Sequence, residues 1–475
     1  MGERIVIVGS GLVGSLLAVY LARRGQRVEL FERRADLRRR RPDRGRSINL
    51  TLCERGLRAL DRVGVGQRVR RLAIPAYGRV IHGRDGAPVF QPYGCRREAI
   101  HSISRNALNE TLLDFAEQHP GIHTHFGKKC RSIDPEGPRA VFEDRERGTQ
   151  TEVAASRIFG ADGAHSVVRR QLREHGRLRC ARQYLEQGYK ELDLPPRPDG
   201  GWALDEHAIH VWPRGRHMLI GFANLDGSFT MALHLPFEGE MSFGSVKDEA
   251  DLRALFCELF PGAEAVLPRL VEDYFRRPAT PMVTVRCFPW TYGDKVALAG
   301  DSAHAIVPSY GQGANFGFEG CAVIDECLEA ARGDWHEAFQ RYERRHHPNA
   351  ETIADLALEH FEVLQEHVRD PRFLLRTRLE RRIDELYPET YSALYSLISF
   401  TTTPYTEARR IDREARGKID RLLELEGVEA MLDRGEMDPF IWQAFGVASH
   451  ARNKELRRQT QGVVQWETES RSTIT

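Results

Sequence analysis

Several signatures of common protein classes are missing from this sequence. Its 475 residues include eight cysteines, at 53, 95, 130, 180, 257, 287, 321 and 327, with no Cys-x-x-Cys pair and no cysteine and histidine cluster at zinc spacing. A disulfide scaffold and a structural zinc site are thereby excluded, no metal is expected, and the reducing cytoplasm is the expected location. An excess of one charge is also absent: 69 Lys and Arg stand against 68 Asp and Glu, a formal net charge of +1. That balance argues against nucleic acid or an anionic membrane as the main partner and favours a small molecule. The longest uncharged run is the eighteen residues 5–22. Gly9, Ser10, Gly11 and Gly14 interrupt it, and the strand-like RVELFE follows at once where a leader would end in a cleavage site, so neither a leader nor a membrane span is expected. No repeat or low-complexity block occurs. With 41% hydrophobic residues, the length suggests two or three domains.

What is present begins at RIVIV (4–8), a continuous apolar run of the kind buried in a parallel sheet. GSGLVG (9–14) follows, then a helical segment from Val13 to Arg24, a second strand at 27–31, and Glu32 at its end. This is a βαβ dinucleotide fingerprint. Gly9 permits the tight turn, Gly11 lets the backbone approach a pyrophosphate at a helix N-terminus, Gly14 lets helix and strand pack closely, and Glu32 would accept hydrogen bonds from a ribose. The arginine-rich RRADLRRRRPDRGR (33–46), which includes Arg34, reads as a solvated loop, or as a cover over an anionic cofactor.

Farther on, residues 47–65 read as strand then helix. RVIHG (79–83) and PVFQPYG (88–94) read as a hairpin across Asp85-Gly86. HTHF and RAVFED suggest strands, and IFGADGAHSVVRRQL (158–172) a strand, a turn and a basic helix. From about 184 to 280 alternating aromatic-rich segments (AIHVWP, HMLIGFA, FTMALHLPF) predict an antiparallel sheet with a helix near 249–260. KVALAGD (295–301) restores the nucleotide-binding texture, residues 320–475 are expected to be mostly helical, and the last ten or so to fray.

Three motifs therefore occur in order: GSGLVG (9–14), ADGAHSVVR (161–169) and AGDSAHAIVPSYGQGANFGFEG (299–320). Together they resemble the single-component FAD-dependent aromatic hydroxylases, the class typified by p-hydroxybenzoate hydroxylase. The resemblance implies an α/β fold: a Rossmann-type FAD-binding domain (1–72, 96–180, 281–335), an inserted mixed or antiparallel-sheet substrate domain (73–95, 181–280), and a C-terminal helical region (336–475) covering the active site. It implies that Gly300 and Asp301 bind the ribityl and pyrophosphate region. Gly311, Gln312, Gly313, Ala314 and Asn315 would run under the isoalloxazine, with Pro308 beside the position where oxygen reacts. Asp162, Arg105, Thr51, Cys130 and Arg34 join Gly9, Gly11, Gly14 and Glu32 as cofactor contacts. His304 reads as a packing residue.

Within that class, GRSINLTLCERGLRAL (45–60), HSISRNALNETLLDFAE (101–117), YLEQGYKEL (184–192), WPRGRHMLIGFANLDGSFTMALHLPFE (212–238) and GDSAHAIVPSYGQGANFGFEGC (300–321) are similar to blocks of the kynurenine 3-monooxygenase family. The similarity spans roughly residues 3–410. It implies 3-hydroxylation of L-kynurenine through a C4a-hydroperoxyflavin, with FAD bound, NAD(P)H (NADPH in the family) and O2 as co-substrates, in tryptophan degradation. The loop positions Pro308, Gly311 and Gln312 carry the chemistry, and no protein base is required because the ring amine donates electron density. Arg79 matches the carboxylate-binding arginine, Tyr93 its partner, and Tyr405 a further substrate contact. Eukaryotic members add a C-terminal membrane anchor; its lack here suggests the soluble bacterial form, a monomer or homodimer.

Three positions depart from the family pattern. His360 stands in the register of an asparagine, Ser309 replaces an aromatic wall residue and Ala314 a methionine. A wider, more polar pocket is expected, which keeps open a modified kynurenine or another aryl amino acid of a specialised pathway as substrate. Among rival classes, a flavin-dependent halogenase would carry WxWxIP, which is absent. A nicotinamide dehydrogenase leaves GD and GQGAN unexplained. A noncatalytic FAD-binding protein would bind flavin without substrate-stimulated NADPH oxidation.

Overall fold

A computed structural model describes residues 2–39, 49–84, 87–94, 97–264, 267–367, 371–388 and 391–445. The Asp85-Gly86 turn, Arg40 to Arg46 of the arginine run, and the C-terminal tail fall outside these residues. The chain divides into two units, Met1–Gln91 with Ala99–Gln365, and Pro92–Glu98 with Glu366–Thr475.

In the first unit the apolar run at residue 4 becomes the centre of a six-stranded sheet. Arg4–Val8 pairs in parallel with Arg27–Phe31 on one side and Arg157–Gly160 on the other. Ile122–His125 and Val296–Leu298 extend it in parallel, and Thr291–Tyr292 closes one edge antiparallel. Ile5, Val6 and Ile7 are fully buried, because both faces of such a sheet are covered. The helix Leu12–Arg23 returns the chain between the first two strands.

A second, seven-stranded sheet runs in spatial order Thr280–Phe288, Arg179–Leu194, Phe229–Pro236, His217–Ala223, Ala208–Arg214, Gly78–Ile81, Val89–Pro92. Its first strand in sequence after residue 177 starts at Arg179, five residues before the aromatic alternation suggests, because Arg179–Tyr184 pair only with Thr280–Phe288 and stay largely exposed. One face of this sheet is apolar: Leu192, Trp212, Leu219, Met231, Leu233 and Leu235 pack against Leu252, Phe256 and Tyr274 of the helices Glu249–Leu259 and Leu270–Arg276. Arg79 lies on the other face, since its strand pairs Ile209 with Arg79 while His210 and Trp212 share the apolar side.

Two small sheets complete the unit. Asn49–Leu52, Ile100–Ser104 and Ala73–Ala76 form one. Arg139–Asp144 is flanked by Lys128–Asp134 and Gln150–Ala154 in the other, and Phe142 stacks on Phe31 of the parallel sheet at 3.8 Å. The 28-residue helix Trp335–Glu362 also packs in this unit, so residues 336–365 of the expected helical region group with the two large sheets.

The second unit is helical: Pro371–Leu386, Leu394–Ser399, Tyr405–Leu423, Val428–Asp433 and Asp438–Phe445 surround Leu379, Ile383, Ile419, Met437 and Ile441. Among the described residues no helix is long and apolar enough to cross a membrane.

Candidate functional site

The first strand ends at Gly9, whose φ of 105° is accessible to glycine at little cost. Its N–H donates to the carbonyl of Phe31 at 2.7 Å, tying the turn to the second strand. A Cβ on Gly14 would run into the Gly9 carbonyl, so helix and turn are in backbone contact. Gly11 differs: among the described residues no atom beyond its chain neighbours lies within 4 Å of where its Cβ would be, and the helix it caps has no side-chain cap. Orphan N–H groups of that first turn thus face open space, a ready anion cradle. Glu32 is fixed at the strand end by the N–H of Ser10 (3.2 Å) and of Arg34 (2.9 Å), while the Arg34 side chain is exposed.

In the second motif, Asp162 accepts from Ser166 Oγ (2.5 Å) and from the N–H of Val167 (2.6 Å). It therefore secures the N-terminus of the helix Val167–Glu174. Burial pushes its carboxyl up, opposed by these hydrogen bonds. The neighbouring Cys130 thiol is pushed up to about 12 by burial, with the Asp162 charge adding to it. Arg169, one turn on, donates to the Ser302 carbonyl at 2.7 Å and so joins the second motif to the third.

In the third motif Gly300, at φ 61°, turns the chain into Asp301. Burial raises the Asp301 carboxyl while the charges of Arg105 and Arg169 oppose the shift, which brings Arg105 and Asp301 into one neighbourhood. Its surface is nevertheless exposed. Pro308 opens a short turn, Pro308–Tyr310, and Gly311 at φ 65° begins the helix Gln312–Ala330, again without a side-chain cap. Asn315 Nδ2 donates to the carbonyls of Thr51 (2.8 Å) and Gly311 (2.7 Å), and its Oδ1 accepts from the N–H of Cys53 (3.0 Å). Gln312 is 1% exposed and donates to the Tyr310 carbonyl at 3.3 Å. These two side chains brace the loop, whereas Gly313 has no protein atom within 4 Å of a Cβ position. Ala314 follows it, half-buried. Two uncapped helix starts, each with one open glycine, together with the exposed Asp301, fit a dinucleotide that carries a flavin.

Beyond this loop the chain assembles a second group. Ser309 Oγ donates to the Ala357 carbonyl at 2.5 Å, so the hydroxyl is committed to the helix Trp335–Glu362. Tyr310 stacks on His360 of the same helix at 4.1 Å. Burial first, then the Arg79 charge, pushes His360 down to about 3, against a backbone hydrogen bond with Ser309. Arg79, Ser309 and His360 thus converge in the first unit, and Tyr310, which sequence reasoning passed over, joins them. Tyr93 and Tyr405 belong to the second unit, where Tyr93 stacks on Tyr395 at 5.3 Å and Tyr405 is fully buried. His304 packs among Phe316 (4.6 Å), Trp290 (5.2 Å) and His346 (5.8 Å), 4% exposed. No cluster of three or more metal-ligating side chains occurs among the described residues.

Residues 3–188 match the FAD binding domain family. Kynurenine 3-monooxygenase of Flavobacterium psychrophilum is 42% identical over 93% of this chain and 98% of its own length. The enzyme of the same name from Myxococcus xanthus is 40% identical over 92% and 96%.

The chain belongs to the kynurenine 3-monooxygenase family.

Like other members of the kynurenine 3-monooxygenase family, it is an FAD-dependent flavoprotein monooxygenase. Solved structures show the fold. A tetrameric 2-methyl-3-hydroxypyridine-5-carboxylic acid oxygenase superposes with a TM-score of 0.64 at 21% identity, covering 79% of this chain and 96% of that one. PqsL of Pseudomonas aeruginosa, determined with 2-aminobenzoylacetate, gives 0.62 at 19% identity over 77% and 97%. The Rossmann-type sheet, the second sheet and the C-terminal helices are the architecture expected of the p-hydroxybenzoate hydroxylase class.

Proposed function

We propose that this chain hydroxylates carbon 3 of L-kynurenine or a close derivative, with FAD bound and with NADPH and dioxygen consumed: one oxygen atom enters the ring, the other leaves as water. The observation that carries the reading is the Arg79 charge acting on His360, which stacks on Tyr310 beside the Ser309 turn, in a chain 42% identical to a kynurenine 3-monooxygenase.

The chemistry of those residues suits an amino acid with an aromatic end. Arg79 supplies a planar cation for the carboxylate. His360, held neutral, adds no charge of its own beside that cation and can donate or accept a hydrogen bond at the amino-acid end. Tyr310, stacked on His360, adds an aromatic surface beside it. When bound, FAD supplies the redox chemistry and oxygen activation that no side chain here can. The ring amine of the substrate activates the carbon ortho to it, so the protein has only to orient the ring, exclude water and stabilise charge at the uncapped helix start Gly311-Gln312-Gly313.

Two finer readings accompany it. The unpaired state of the seven described cysteines supports a cytoplasmic location, tested by cell fractionation. A monomer or homodimer is the proposed assembly, tested by light scattering.

The decisive experiment is anaerobic reduction of the bound flavin by NADPH with kynurenine, ring-substituted kynurenines and anthranilates, followed by mass analysis after oxygen is admitted. Faster reduction coupled to one added oxygen supports the proposal. Bound flavin with no ligand-stimulated reduction would instead favour a noncatalytic flavin-binding protein.

A further inference from the structure

Sheet register puts a histidine on the same face as Arg79. Residues paired across neighbouring strands share a face, and faces alternate along a strand. Arg79 pairs with Ile209, two residues from Val211; Val211 pairs with Ile220, two residues from Met218; Met218 pairs with His234, and His234 with Tyr189. The apolar face beneath the helices is served by Met231, Leu233 and Leu235, so His234 is not part of that core. Three inter-strand steps of about 4.8 Å separate its strand from that of Arg79, and along that strand it lies four residues, about 13 Å, beyond Thr230 in the Arg79 row, placing it at the remote end of the face.

All eight residues of Phe229–Pro236 are buried, and His234 is 4% exposed. Its ring neighbours are Tyr189 at 5.8 Å and Phe361 at 6.4 Å. Phe361 follows His360 directly, so the helix end that feels the Arg79 charge also sets a ring beside His234. Nδ1 of His234 has no hydrogen-bond partner among the described residues. Burial pushes the imidazole down to about 4, so it is neutral, with one N–H and one bare nitrogen. A buried polar nitrogen without a partner is costly, and a leucine or phenylalanine would fill this strand position with no such cost. That nitrogen is left open to a partner that a ligand could bring.

We infer that His234 is a specificity-determining residue that hydrogen-bonds a polar substituent at the far end of the substrate ring, so that the preferred substrate is a ring-hydroxylated aryl amino acid of the kynurenine type. This rests on the function proposed above: with the carboxylate on Arg79, the ring extends toward His234. The amine of kynurenine is already bonded internally to the adjacent ketone, so a second ring substituent is the group left to meet the imidazole.

The test compares 5-hydroxykynurenine with 5-methylkynurenine, similar in size but differing in hydrogen bonding, in the FAD-loaded wild type, His234→Phe and His234→Asn. The expected result is a hydroxyl-over-methyl preference in kcat/KM of at least about tenfold in the wild type, lost in His234→Phe and partly kept in His234→Asn, with FAD content intact. An equal preference in wild type and His234→Phe overturns the inference. Should His234→Phe fail to fold, the ratio of the two dissociation constants for the wild type, read from the flavin spectrum, decides: a ratio near one overturns it. Hydroxylation of kynurenine without the preference sinks this inference alone, whereas no hydroxylation of any of the three compounds sinks the proposed function and this inference with it.

Discussion

The imidazole of His360 lies 4.1 Å from the ring of Tyr310, centroid to centroid, with the planes 28° apart. The two residues are fifty positions apart in sequence. The stack and the hydrogen bond from Ser309 to Ala357 clamp the turn before the uncapped helix onto the long helix. Any ligand group resting against His360 is therefore set in position relative to Gly311 as well.

Removing the clamp should affect substrate before coenzyme. His360→Ala deletes the stacked ring and its polar contact while leaving both glycine cradles untouched. The expectation is a KM for kynurenine raised about tenfold, the loss of roughly 1.4 kcal/mol, with the absorbance of bound FAD unchanged. A normal KM with lost flavin would place His360 outside the substrate site.

Arg79 supplies a second split. Arg79→Ala should raise KM by about 100-fold, since a lone cation for a carboxylate contributes a few kcal/mol, and leave FAD content intact. Arg79→Lys should recover part of the loss, because charge survives while the planar fork does not. Steady-state kinetics beside flavin quantitation check both. Loss of flavin in Arg79→Ala would move the residue out of the substrate site.

How much of the fold and site is legible in the sequence depends on how tightly backbone geometry restricts residue choice. Gly9 and Gly14 are dictated by a left-handed turn and by contact between backbones, so the fingerprint could be read from spacing alone. The strands Lys128–Asp134 and Gln150–Ala154 escaped notice because they are mostly polar and partly exposed, and their pairing with Arg139–Asp144 supplies what their composition does not. The roles of Asn315 and Asp162 were half legible: the motif marks them, but only the hydrogen bonds show that each side chain holds protein backbone. His234 had one faint signal, a histidine in phase with Thr230 within FTMALHLP, opposite in register to the leucines. Arg79 and His360 come within electrostatic reach only through tertiary packing.

The open glycines allow coenzyme binding to be separated from folding. A Cβ at Gly313 meets no protein atom within 4 Å, and the site is helical, so Gly313→Ala should leave the apoprotein as stable or more stable by about 0.5–1 kcal/mol. The same methyl projects into the proposed flavin cradle and should lower FAD affinity. Gly14→Ala drives its Cβ into the Gly9 carbonyl and should destabilise the fold itself. Thermal unfolding of the apoprotein and FAD titration separate the two; a Gly313→Ala protein with normal FAD affinity would remove that position from the coenzyme site.

Buried histidines give the molecule a weakness toward acid. His304 is pushed down to about 4 by burial, and His346, packed beside it, is also held well below the usual histidine range, chiefly by burial. His304 is neutral in the folded chain at pH 5, and protonation of His346 is disfavoured there as well, whereas in the unfolded chain both take up protons as pH falls through about 6.5. The unfolded state then binds more protons than the native one, so stability is complete above that value and falls on acidification until the folded pKa is reached. The loss approaches roughly 1.4 kcal/mol per pH unit for each histidine. His304→Phe keeps an aromatic ring among Phe316, Trp290 and His346 and removes one of these protons. Between pH 6.5 and 5 the variant should lose up to about 2 kcal/mol less than the wild type, measured by urea unfolding at each pH. Equal losses in the two proteins would mean that His304 gains its proton in the folded chain, and that its aromatic surroundings are far better solvated than their burial implies.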